Sequence, residues 1–96
     1  MEPIRIPIED VLDLHTFNPK EIAYLLDDYL KECVHHNIFT LRIIHGKGSG
    51  ILKQKTRSVL KRHDLVESFH DAPAESGGWG ATIVTLKKMT NADNKP

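Results

Sequence analysis

An aspartate and a histidine stand two residues apart at the end of an alternating run, Val11-Leu12-Asp13-Leu14-His15. A second histidine, His45, closes another apolar run and is followed at once by Gly46-Lys47-Gly48-Ser49-Gly50. Glycines let a backbone turn tightly and come close to a ligand. A helix that starts after such a loop presents unpaired N–H groups and positive dipole charge to an anion. Lys47 adds a mobile charge. These residue types suit a phosphate, but they leave open whether it is held or also cut. A glycine-rich turn with no ligand is the plainer alternative. The loop matches neither G-x-x-x-x-G-K-[ST] nor G-x-G-x-x-G, which disfavours a small-nucleotide binder.

The charge distribution points the same way. The formal net charge is zero, yet Arg42 to Arg62 holds seven basic residues and no acid. Residues 1–41 hold eight acids and three bases. Lys53, Arg57 and Lys61 recur at i, i+4 and i+8, which places them along one flank of a helix. A run this long without a balancing acid favours an anion-facing patch over a merely solvated face. Trp79 lies between glycines in Gly77-Gly78-Trp79-Gly80. It is placed either to stack on a nucleic-acid base or to pack the loop. His63 and His70 read as surface residues.

Composition excludes several classes. The chain has 96 residues and one cysteine, so it forms one domain without an internal disulfide. Cys33 falls on the apolar stripe of a helix and reads as a buried, reduced thiol. No zinc-ligand spacing occurs. The first ten residues lack the basic and apolar regions of a signal peptide. No stretch approaches the roughly 20 apolar residues of a membrane span. A cytoplasmic protein, with no membrane partner and no demand for a second copy, is the expectation.

The elements that must position these residues follow from periodicity. Residues 1–9 form an extended lead-in, and 11–15 are the first strand, with Leu12 and Leu14 facing opposite to Asp13 and His15. Asn18 as cap, Pro19 in the first position and Glu21 three after the cap mark a helix start, with Phe17 and Ile22 as a staple. An apolar stripe from Ile22 to Val34 carries that helix to Asn37, which suits a left-handed stop. Residues 40–44 are a strand, about 49–62 a helix with Leu52, Thr56, Val59 and Leu60 inward, 65–69 a strand, and 81 onward the last strand. Residues 89–96 are expected as a disordered tail. The order β-α-β-α-β-β predicts an α/β two-layer sandwich with a right-handed parallel crossover and two helices on one sheet face. Strand ends on such sheets gather ligands, so Asp13, His15, His45 and the glycine loop should meet at one edge.

Three blocks carry a family resemblance: Leu12-Asp13-Leu14-His15-Thr16, residues 42–52, and residues 77–86. Together they resemble the Smr (small MutS-related) domain, and residues 10–88 are similar to its stand-alone form. The resemblance implies a four-stranded mixed sheet of order 1-2-4-3 with the last strand antiparallel. It implies binding of DNA or RNA, and an endonuclease, nicking activity in some members. On that basis Asp13, His15 and His45 are the candidate catalytic residues, with Asp13 a candidate ligand for Mg²⁺ or Mn²⁺. Gly46, Lys47, Gly48, Ser49, Gly50, Lys53, Arg57, Lys61 and Trp79 are the candidate phosphate and nucleic-acid contacts. A non-catalytic binding module is the other reading. Thr16 stands where the family commonly has glycine. A β-branched residue does not readily adopt a left-handed conformation, so the turn after the first strand is expected to differ.

Overall fold

The computed structural model describes residues 7–88. The expected tail at 89–96 and the first six residues of the lead-in lie outside them. Strand β1 (Val11–Asp13) is followed by helix α1 (Ile22–His35), strand β2 (Thr40–Ile44), helix α2 (Ile51–Arg62), and strands β3 (Val66–Asp71) and β4 (Ala81–Leu86). The sheet order is β1-β2-β4-β3. β1 runs parallel to β2, with Asp13 opposite Ile44, and β4 runs antiparallel to both of its neighbours.

Strand alternation divides the sheet into two faces. Leu12, Leu14, Leu41, Ile43, Val84 and Leu86 are buried against Ile22, Leu25, Leu26, Leu30 and Cys33 of α1 and Val59 and Leu60 of α2. The intervening Val11, Ile44 and Ile83 are only half-buried, because no helix covers their face. Burial pushes the Cys33 thiol up to about 11, so it stays protonated and unreactive.

The helix boundaries are set by local chemistry. Asn18 Oδ1 accepts from Lys20 N–H, and Asn18 N–H donates to Glu21. A cap of this kind stabilises a helix by about 1 kcal/mol. Here it opens a single 3₁₀ turn, Pro19–Glu21, before α1 begins. At the other end Asn37 has φ 60°. Its N–H donates to Val34 O while Ile38 N–H donates to Cys33 O, the paired bonds of a left-handed helix stop. Upstream, the Tyr29 hydroxyl donates to Glu9 O (2.8 Å) and accepts from Glu9 N–H (2.9 Å), which fastens the end of the lead-in to α1.

Several sequence expectations are corrected. The first strand ends at Asp13 rather than His15, because the chain turns there: Phe17 N–H donates to Leu14 O. The third strand is shifted to 66–71 and carries a bulge between Val66 and Ser68. His63 is not a surface residue. Its side chain is 11% exposed, with Nε2 2.9 Å from Asp27 on α1. Its Nδ1 accepts from Leu65 N–H, so the ring ties the end of α2 to α1. The hydrogen bonds from Lys31 and then His63 hold the Asp27 carboxyl below its usual range. Lys53 lies on the buried face of α2 with Thr56, Val59 and Leu60, not on an exposed basic flank.

Candidate nucleic-acid and phosphodiester site

The parallel pair β1 and β2 deliver their ends to one edge of the sheet, since Asp13 is in register with Ile44. The next residues on each strand diverge. On the β1 side, His15 enters the turn, and Asp13 Oδ1 accepts from both its backbone N–H (3.0 Å) and its ring Nδ1 (2.5 Å). Burial raises the Asp13 carboxyl, but these bonds outweigh it and hold the group below its usual range. The carboxylate therefore fixes the ring orientation and leaves Nε2 as the nitrogen available to a ligand. The side chains of His15 and Asp13 are 57% and 49% exposed.

On the β2 side, alternation continues from Leu41 and Ile43 through His45, which is 3% exposed. Its Nδ1 is 3.1 Å from Gly46 O and its Nε2 2.9 Å from Thr82 Oγ1. A carbonyl only accepts, so Nδ1 carries the proton and Nε2 accepts from the Thr82 hydroxyl. Burial lowers the His45 pKa from its ordinary 6.5; the bond to Gly46 opposes this, and the charge of Lys53 adds to it. His45 is a neutral ring with both nitrogens engaged inside the protein.

The two histidines nevertheless share a cleft of about 420 Å³, lined also by Gly46, Gly48, Ser49, Gly50 and Lys53. At Gly46 and Gly50 φ is +82° and +88°, which L residues rarely adopt. Gly48 differs: it has no positive φ, and an added Cβ would meet nothing within 4 Å. Gln54 N–H makes the first backbone bond of α2, to Gly50 O. Leu52 and Lys53 precede it and line the cleft, so their N–H groups lie before the first backbone bond of the helix, as at helix starts that suit anions.

The 77–80 segment backs this loop. Gly80 O accepts from both His45 N–H (3.1 Å) and Gly46 N–H (2.9 Å). A Cβ at Gly80 would lie 3.1 Å from Lys47 Cγ, and one at Gly50 would lie 3.5 Å from the Trp79 ring. Lys47 is thus exposed but rests its stem on Gly80. Gly80 and Thr82 are the site residues that the residue-by-residue reading missed. Their block was visible in the sequence, but the contacts depend on the β2–β4 register.

The basic stripe is rearranged. Lys53 Nζ lies 3.1 Å from Asp71 Oδ1 and 4.1 Å above the centre of Trp79. Arg57 shares the same carboxylate at 3.2 Å and covers Phe69. The hydrogen bond from Lys53 holds Asp71 below its usual range. The run that lacks acids in sequence gains one from β3 in space. Lys53, held by Asp71, therefore packs against Trp79 at the loop, while Arg57 packs on Phe69 instead, and Trp79 remains 48% exposed. Lys61 is exposed and away from the cleft lining.

Among the described residues Asn37 is the only non-glycine with positive φ, so Thr16 sits in the turn in a conformation that an L residue adopts without strain. For a divalent ion the fit is poor. Among the described residues no group of three or more His, Cys, Asp or Glu side chains is placed to hold a metal. Asp13 has already committed one oxygen to His15. Mg²⁺ bound here would draw most of its ligands from water and substrate phosphates. No helix of the described residues is long and apolar enough to cross a membrane.

Known proteins share this fold. The family model of the Smr domain matches residues 12–87. Endonuclease MutS2 of Thermus thermophilus is 42% identical over 76 residues, which is 79% of this chain and 10% of that protein. Endonuclease MutS2 of Clostridium botulinum is 39% identical over 80 residues, 83% of this chain and again 10% of that protein. The chain therefore spans about a tenth of the length of these relatives. Among solved structures, the Smr domain of Thermus thermophilus MutS2 superposes with a TM-score of 0.78 at 40% identity, covering 82% of this chain and 99% of that one. YdaL, a stand-alone small MutS-related protein from Escherichia coli, gives 0.77 at 25% identity, covering 85% and 67%.

Proposed function

Because the chain belongs to the Smr domain family, we propose that it binds nucleic acid through a backbone phosphate held at the glycine loop and cleaves the adjacent phosphodiester bond. The observation that carries this is the Asp13–His15 pair, with its oriented ring at the mouth of a cleft lined by a helix start. Backbone N–H groups of the loop and of α2 hold the phosphate oxygens, where charge grows in the transition state. His15 Nε2 takes the proton from the attacking oxygen as that oxygen bonds to phosphorus. The opposite P–O bond breaks, and the leaving oxygen takes a proton from water, whose loss is made up when His15 Nε2 releases its own proton to solvent. Asp13 keeps the ring in place and stabilises its charged form. His45 acts as a positioning residue, since it holds Gly46 and, through Gly80, the facing segment. The name of the relatives, endonuclease, accords with this chemistry.

A second reading is a binding module without cleavage. It is favoured by the burial of His45, which leaves a single ring to serve as both base and acid. A cleavage assay on single-stranded, duplex and branched DNA and on RNA, with Mg²⁺, Mn²⁺ or chelator, separates the two. Wild-type protein should cut, while Asp13→Asn should bind as well but cut about 10²- to 10⁴-fold more slowly. Binding without cutting by both proteins would establish the module instead.

A further inference from the structure

A second hollow of about 420 Å³ opens beside the cleft, lined by Pro19, Lys20, Ile51, Gln54, Lys55 and Ser58. Pro19 and Ile51 line both hollows, so they form a low sill between them. Ile51 is 57% exposed, an aliphatic side chain left in solvent at the junction. No carboxylate lines the second hollow. Glu21, next in sequence to Lys20, accepts from Asn18 N–H. Among the described residues neither Lys20 nor Lys55 takes part in an ion pair, whereas Lys53 and Arg57 are both held by Asp71. Besides Lys47 on the loop, Lys20 and Lys55 therefore place uncommitted positive charge beyond the sill, off the stripe that the sequence singles out.

We propose that the two hollows form one path for a single polynucleotide strand, entered at the glycine loop and continued between the Pro19–Glu21 turn and α2. This rests on the nucleic-acid reading above and adds the route and the residues that set it. With one phosphate at the loop, the neighbouring nucleotide lies over Ile51 and Pro19. The following phosphates fall beside Lys20 and Lys55, and Gln54 and Ser58 supply neutral hydrogen bonds. A basic groove with an apolar rest for bases or sugars suits an unpaired strand, whose ring faces are free. The lysine contacts position the strand and carry no sequence preference.

The test is fluorescence anisotropy of a labelled dinucleotide and a longer single strand, across a salt series. The proteins are wild type, Lys20→Gln/Lys55→Gln, and Lys87→Gln as an exposed control beyond the far end of β4. All three positions are exposed, and circular dichroism checks that the fold is kept. The double variant should lose affinity for the longer strand only. Its log–log salt slope should fall by about 1.4, or about 0.7 for each lost phosphate contact on a single strand. The control should match wild type. An unchanged slope in the double variant, or an equal loss in the control, overturns the path while leaving the nucleic-acid reading standing. A wild-type protein that binds neither strand removes both. Displacement of the strand by polyglutamate at equal charge overturns the path in favour of an acidic protein surface.

Discussion

The ends of β1 and β2 carry the same residue type to the same edge, and the protein uses the two copies in opposite ways. His15 sits in a turn, is more than half exposed and is oriented by a carboxylate on one side only. His45 sits on the covered face, is 3% exposed and is closed at both nitrogens by a carbonyl and a hydroxyl. A ring with one tethered nitrogen can exchange a proton with a ligand. A ring with two satisfied nitrogens can only hold its neighbours. The contrast shows that the partners of each nitrogen decide a histidine's role, and nearness to a cleft does not.

The largest expected effect breaks the comparison at His15. His15→Ala should reduce cleavage by roughly 10²- to 10⁴-fold and leave the melting temperature close to wild type, as measured by a rate assay and thermal unfolding. His45→Gln should do the reverse. It removes a buried, fully bonded ring and should lower stability by about 1–3 kcal/mol. For a domain of this size each kcal/mol shifts Tm by about 4–8 °C.

The same substitution sharpens the comparison through pH. The folded pKa of His45 lies below its ordinary 6.5, so below that value the unfolded chain binds a proton that the folded one refuses. Wild-type stability should therefore be full above pH 6.5 and fall as the pH drops towards the folded pKa. Denaturant titrations over this range should show a smaller decline in His45→Gln. An equal decline in both proteins would place the titrating group elsewhere.

A smaller effect separates the glycines. Gly46→Ala forces an L residue into a left-handed conformation and should cost about 1–2 kcal/mol of stability. Gly48→Ala meets open space and should fold like wild type, yet its methyl group would stand on the proposed approach of a phosphate. Loss of binding in Gly48→Ala at unchanged stability marks that approach, and normal binding there limits the loop's role to its backbone shape.

Periodicity made much of this fold legible. β2 and the start of β4 fall where the apolar runs place them, and the Asn18 cap and Asn37 stop act at the positions their chemistry suggests. Two signals were present but carried more than was taken from them. The alternation that buries Leu41 and Ile43 runs on through His45, and Lys53 shares its helix face with Thr56 and Leu60. Other features had no local signal. Asp71 lies 18 positions beyond Lys53, and only the folding of β3 beside α2 brings its charge to the basic run. A count of charges along the chain cannot register that. The positive φ values of Gly46 and Gly50, and its absence at Gly48, likewise depend on how the loop meets Gly80 and Trp79.

The strand order has a consequence for how the chain is made. β4 is synthesised last of the four strands, yet it lies in the interior of the sheet, bonded to β2 on one side and β3 on the other. Until residues 81–86 leave the ribosome, β2 and β3 have no common partner and are separated by two strand spacings, roughly 10 Å. The nascent chain can form β1, α1 and β2 early, through contacts close in sequence, but it exposes an open strand edge at Leu41 and Ile43. Closure therefore comes as one late step, in which a single arriving strand supplies both missing ladders. The same step brings in Gly80 and Thr82, which hold His45 and Gly46, so the cleft at the glycine loop is completed only when the sheet is.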